Sequence, residues 1–164
     1  MIGRINDERY ALILIVNSWY MIARNIAGYP LDEESMRGLG VLEGVIFYLT
    51  ECPGEPNGHS ISSLLGKHYA VKFLDLALRA GLRPAASNSL PPDSLAHLFL
   101  VAGALAESEL MGDTRAPIYR LSLIEDVIEA VASKLKQLDD YCSNLLGNIL
   151  EALIDADKEV LESD

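Results

Sequence analysis

The chain has 164 residues, half of them apolar, with 24 acidic side chains against 13 lysines and arginines and a formal net charge of -11. That length suits one domain with a core of its own, and an apolar half with a mean hydropathy of +0.19 excludes a disordered chain. Two cysteines, Cys52 and Cys142, stand far apart with no metal-ligand spacing, so neither a disulfide nor a zinc site is expected, and a reducing cytoplasm is the expected location.

The first predicted helix runs from about Asp7 to Ala27, with Asn6 as its N-cap. Its run Tyr10 to Val16 is apolar enough to suggest a signal peptide. Asp7 and Glu8 precede that run and Asn17 and Ser18 interrupt it, so a buried helix is the better reading, and the run is too short to span a membrane. Gly28 to Pro30 ends this element.

A second helix is expected from about Asp32 to Glu51, with acids in its first turn. It contains Gly38, Gly40 and Gly44 beside Val41, Val45, Ile46, Phe47 and Leu49, which are expected to supply buried area. Glycine inside a helix costs about 1 kcal/mol relative to alanine, so Gly40 and Gly44 are expected to permit a close crossing by another helix. After Pro53 to Gly58 a third helix is predicted from about Ser60 to Leu82. A fourth follows Pro91 and Pro92, from about Asp93 to Met111, and Pro117 suits the first turn of a fifth.

Apolar residues at 121, 124, 128, 131, 135 and 138, and again at 146, 149, 153, 156 and 160, alternate steps of three and four. The phase slips between Asp139 and Gly147. Two arrangements fit: one long helix with a stutter, or a hairpin turning at Ser143-Asn144 or Gly147. The fold class is therefore all-α, a single domain over residues 1–164 built as a bundle of five or six helices, with 139–164 an acidic C-terminal helix or hairpin arm.

No catalytic or metal-binding constellation emerges along these helices. A di-iron carboxylate bundle needs a histidine three residues after a glutamate, which no glutamate here has. The arginine that precedes histidine by four to six residues in helical RNases of the HEPN type is missing before His59, His68 and His97. Asp93 and His97 are one turn apart, but Asp93 after two prolines reads as a helix-start residue. Asp139, Asp140 and Asp155 to Glu159 read as a solvated face rather than a cation site. No catalytic residue, cofactor or metal is expected.

Charge is unevenly distributed. Residues 61–100 hold four bases, Lys67, Lys72, Arg79 and Arg83, against Asp75 and Asp93, on a chain that is otherwise acidic. On the third helix His68, Lys72, Asp75, Arg79 and Arg83 follow steps of four, three, four and four and share one side, with Ala70, Phe73, Leu74, Ala77 and Leu78 opposite. Such a strip suits phosphates, and with no aromatic residue interleaved it suits backbone contact rather than base stacking.

The segment Gly40-Val41-Leu42-Glu43-Gly44-Val45-Ile46-Phe47 resembles the second helix of the small helical subunit of type III-B CRISPR effector complexes, the Cmr family. Tyr119, Glu125 and Lys134 fall where that family tends to carry a tyrosine, a glutamate and the basic end of its last core helix. Leu39 stands where the family commonly has asparagine, and Ala132 where it has tryptophan. The resemblance implies a noncatalytic subunit of an antiviral ribonucleoprotein whose partners are the other effector subunits, copies of itself stacked head to tail, and guide and target RNA. Lys72, Arg79 and Arg83 would hold phosphates, with His68, Lys134 and Lys136 as lesser contacts. The alternative is a helical adaptor that binds protein through the C-terminal apolar stripe and never touches nucleic acid. Neither reading involves a membrane or a small-molecule substrate.

Overall fold

A computed structural model of the protein describes residues 2–54, 59–82 and 90–162, and side chains from residue 7 onward. It is all-α. Among the described residues the chain forms α1 (Ile2–Ile26), α2 (Glu33–Leu39), α3 (Glu43–Glu51), α4 (Ile61–Leu65), α5 (Lys67–Arg79), α6 (Leu95–Leu110), α7 (Ala116–Leu123), α8 (Glu129–Lys136) and α9 (Tyr141–Glu162). A π turn, Ile124–Ile128, joins α7 to α8. Among the described residues extended pairing is limited to one bridge between Ser60 and Ser94. No helix among the described residues is long and apolar enough to cross a membrane.

The centre of the molecule is α1. Leu12, Ile15, Val16, Trp19, Ile22, Ala23 and Ile26 follow helical spacing and are buried, and Trp19 stacks on Phe99 of α6 with ring centroids 5.8 Å apart. The helices α1 and α6 run antiparallel and very close. A Cβ placed on Gly103 of α6 would lie 2.7 Å from the Tyr20 ring, so glycine is what admits that ring. The Tyr20 hydroxyl donates to Glu107 at 3.1 Å, and burial together with that carboxylate pushes its pKa up to about 12.

The polar residues that interrupt the apolar run of α1 hold the next elements in place. Asn17 donates through Nδ2 to the carbonyls of Leu39 and Gly40, at 2.7 and 3.1 Å, and Ser18 Oγ accepts from Leu42 N. At the penultimate position of α1, Asn25 donates to Cys52 O and accepts from Gly54 N. Both ends of α3 are thereby fastened to one helix by hydrogen bonds that also satisfy buried amides.

The expected single helix from Asp32 to Glu51 is two helices. Gly40 adopts φ +84°, a left-handed conformation that costs any other residue a steric clash, and its N–H closes α2 on Arg37 O and Met36 O. Its conformation, rather than a close crossing, accounts for this glycine. At Gly44 an added Cβ would meet Ile149 Cδ1 at 3.6 Å, ordinary contact, so the close approach expected there is absent. Phe47, expected inside, is 52% exposed. Gly66, at φ +95°, likewise divides the third predicted helix into α4 and α5.

The start of α1 is Ile2 rather than Asp7, and the Asn6 side chain lies outside the described residues. The N-cap of α6 is Ser94, whose Oγ accepts from His97 N at 3.2 Å. Asp93 caps a different helix: its carboxylate accepts from Ser62 N and its carbonyl from Ile61 N, tying α4 to the start of α6. It does not orient His97, whose Nδ1 faces Ser94 Oγ and Pro91 O.

The C-terminal region is a hairpin, turning at residues 137–140, just before either expected site. Asp140 caps α9 by accepting from Ser143 N at 2.9 Å and Ser143 Oγ at 2.7 Å, and these bonds hold its carboxyl below the ordinary range. Gly147 is where α9 crosses α8 most closely. A Cβ there would lie 2.8 Å from both Ala132 O and Lys136 N, backbone atoms that cannot yield without moving a helix. Leu146, Leu150, Leu153 and Ile154 are buried, so this part of the apolar stripe packs in the core.

Asp157, expected on a solvated face, is fully buried: its carboxylate accepts from Trp19 Nε1 and Arg120 Nε, each at 3.0 Å. Arg120, itself fully buried, also reaches Glu109 at 3.3 Å, while its Nη1 has no partner among the described residues. Cys52, at the C-cap of α3, and Cys142, in the first turn of α9, are joined as a disulfide with Cα atoms 5.9 Å apart, where none was expected. The sequence distance of 90 residues is closed by packing α3 on α9, and with it goes the cysteine argument for a reducing compartment.

Candidate nucleic-acid interface

The part of the basic strip from His68 to Arg79 lies on α5, which begins after the break at Gly66. Helix α5 presents His68, Lys72, Asp75 and Arg79 to solvent and buries Ala70, Phe73 and Ala77 beneath them. Leu78, expected on the buried side, is 58% exposed next to Arg79, because α5 buries a narrower stripe than its composition suggests. Arg83 lies outside the described residues.

Opposite this strip stands α7. Its first turn carries Pro117, whose missing N–H belongs to the unbonded start of a helix, and Arg115 O accepts from the next free amides. The two helices enclose a groove of about 220 Å³ lined by Lys72, Asp75, Leu76 and Arg79 from α5 and by Ile118, Tyr119, Ser122 and Asp126 from α7 and the π turn. In the π turn Glu129 N bonds back to Ile124 O, and its outward residues are Glu125 and Asp126.

Electrostatically the groove is mixed. Arg79 Nε pairs with Asp75 at 3.1 Å, with both side chains more than half exposed. An exposed pair of this kind is weak and screened, so the guanidinium remains exchangeable toward another anion. Lys72 Nζ lies 5.5 Å from the Tyr69 ring centroid, and His68 packs edge-on against the same ring. The groove thus offers an ammonium, a guanidinium, a phenol and a hydroxyl, set against two carboxylates.

Of the residues expected at the interface, Lys72 and Arg79 line the groove and His68 lies on the same exposed face of α5. Lys134 and Lys136 do not join them. They sit on α8, where Lys136 is bonded to both carboxylate oxygens of Glu151 on α9, at 2.6 and 2.8 Å. The expectation that no aromatic residue accompanies the strip fails in space, since Tyr69 flanks Lys72 and Tyr119 faces it from α7. Tyr119, Ser122 and Asp126, at steps of three and four, form a legible helix face; that this face meets α5 is a long-range fact that spacing does not carry. Among the described residues no group of three or more histidines, cysteines or acids is gathered as a metal would need.

Comparison with known proteins returned no match among protein-family models, curated proteins or solved structures.

Proposed function

We propose that this protein is a noncatalytic helical subunit that lays the α5–α7 groove along an RNA backbone, as the small subunit of a type III-B CRISPR effector would. The observation that carries the reading is the convergence of Lys72 and Arg79 on α5 with Tyr119 on α7 in one exposed groove. Tyr119 belongs to the Cmr resemblance and the two bases to the charge pattern, so two independent sequence signals meet at one place. Phosphates would displace Asp75 from Arg79, and the Tyr119 ring offers a base a sequence-tolerant stacking surface. Cleavage would reside in other subunits, and the remaining acidic surface would face them or further copies of this chain.

A cytoplasmic location is part of this reading. Together with the Cys52–Cys142 disulfide it implies a cell whose interior retains such bonds, as in hyperthermophiles.

Charge reversal tests the proposal. Each lysine or arginine contacting a phosphate contributes about 0.7 to the slope of log affinity against log salt for a single strand, so Lys72→Glu with Arg79→Glu should weaken binding of single-stranded RNA and reduce the slope by about 1.4. Unchanged affinity and slope would remove RNA from this groove. A second reading, a protein-binding module without RNA, is favoured by Asp75 and Asp126 in the same groove and by exposed Val71, Leu78 and Ile118 on the helices that form it. Sedimentation with and without single-stranded RNA separates the two: assembly that depends on RNA supports the effector subunit, and an oligomer indifferent to RNA supports the module.

A further inference from the structure

A second cleft, between α1 and α6, has the composition of a small-molecule site. It encloses about 350 Å³ and is lined by Tyr20, Met21, Ala23 and Arg24 of α1, Ala27 in the turn after it, Ala96, His97 and Leu100 of α6, and Leu90. Most of the lining is apolar, with two nitrogen bases at hand, His97 and Arg24. Mostly apolar clefts between bundle helices with few polar groups are the usual form of a ligand pocket, and this volume lies within their range.

The state of His97 narrows the ligand. The ring is 9% exposed, and its Nδ1 lies 2.8 Å from Pro91 O and 3.0 Å from Ser94 Oγ. A carbonyl only accepts, so Nδ1 carries the proton, and Nε2 is the one polar ring atom left to meet a ligand. Arg24 commits Nε to Tyr29 O at 2.7 Å, an anchor that leaves both terminal amino groups for an anion. Neither base has a carboxylate partner among the described residues, on a chain with 24 acids to supply one.

We infer that this cleft binds a small amphiphilic carboxylic acid, with its hydrocarbon against Met21, Ala23, Ala27 and Ala96 and its carboxyl between His97 Nε2 and Arg24. The carboxyl takes up one proton from solvent on binding and donates that O–H to His97 Nε2 while its carbonyl oxygen accepts from Arg24, so the bound acid is neutral and the site keeps the single positive charge of Arg24. The inference is independent of the α5–α7 groove.

The test uses the full chain and sodium decanoate, below its micelle concentration, as the probe. Saturable binding by calorimetry, with matching shifts of the His97 ring resonances, is the expected result. Arg24→Gln should lower the affinity about tenfold, the usual effect of removing a charged hydrogen-bond donor. Ala27→Trp should abolish binding by filling the cleft. Leu100→Trp, at the exposed rim, serves the same purpose if the first variant does not fold. Absence of saturable His97 shifts, equal binding of the neutral analogue decan-1-ol, or unchanged affinity in the folded tryptophan variant would each overturn the inference.

Discussion

Replacing Arg120 by methionine is expected to destabilise the protein by about 3–5 kcal/mol, as loss of one partner from a buried ion pair does. Arg120 lies among α1, α6, α7 and α9, fully enclosed, and is the cation that Asp157 and Glu109 share. Without it Asp157 keeps one hydrogen bond, from Trp19, in a site that excludes water. The penalty is mainly that of an uncompensated carboxylate, so Arg120→Met combined with Asp157→Met should recover more than half of the loss. Urea unfolding of the three variants measures this, and a loss below about 1 kcal/mol for Arg120→Met would show that the cluster does not hold the helices together.

The pH dependence of the same cluster has a definite sign. Burial pushes the Asp157 carboxyl above its ordinary range, and the Arg120 guanidinium and Trp19 N–H counter this without cancelling it. The folded protein therefore holds that proton more tightly than the unfolded chain does. Stability attached to Asp157 is fully present below the unfolded value of about 3.9 and is lost as pH rises through the raised folded value. Relative to Asp157→Asn, the wild type should gain stability as pH falls through that window; a relative loss would mean that the pairing with Arg120 dominates.

Reducing the Cys52–Cys142 disulfide should lower the melting temperature by about 10 °C or more. The bond closes a loop of 90 residues, for which chain entropy alone gives about 4–5 kcal/mol, and each kcal/mol moves the midpoint of a chain this long by about 2–4 °C. Calorimetry with and without a thiol-free reductant measures it. The paired substitution Cys52→Ala and Cys142→Ala should reproduce the reduced protein, because Asn25 and the Asp140 cap still hold the two helix ends. Equal melting temperatures of the oxidised and reduced forms would mean that packing of α3 on α9 already supplies the whole constraint.

Much of the architecture was legible in local signals. The loops beginning at Gly28 and Gly112 lie where glycine and proline place them, and Pro117 stands in the first turn of α7. The errors have a common cause. Glycine serves a left-handed turn and a close helix crossing through the same missing Cβ, so Gly40 and Gly147 exchanged roles: the first is a C-cap and the second a crossing. Asp157 was misread because its neighbours Asp155 and Glu159 are exposed. One turn of helix separates a solvated face from a core in which an arginine from 37 residues away supplies the countercharge.

The candidate groove divides in the same way. The α5 strip was visible as a helical period, since residues three and four apart share a face in any helix. Its pairing with Tyr119 and Asp126 was not, because that depends on where α7 docks.

By itself the sequence determined the all-helical class, most loop positions and the basic strip, because each follows from propensity and spacing within a few turns of chain. Only the tertiary structure decided that Trp19, Arg120 and Asp157 form one buried cluster, that Cys52 meets Cys142, and that two helices enclose the groove. Those contacts join residues 37 to 138 positions apart. The buried cluster and the disulfide exist because α9 folds back across α1, α3 and α7, and the groove because α7 docks on α5, and local spacing leaves both arrangements unspecified.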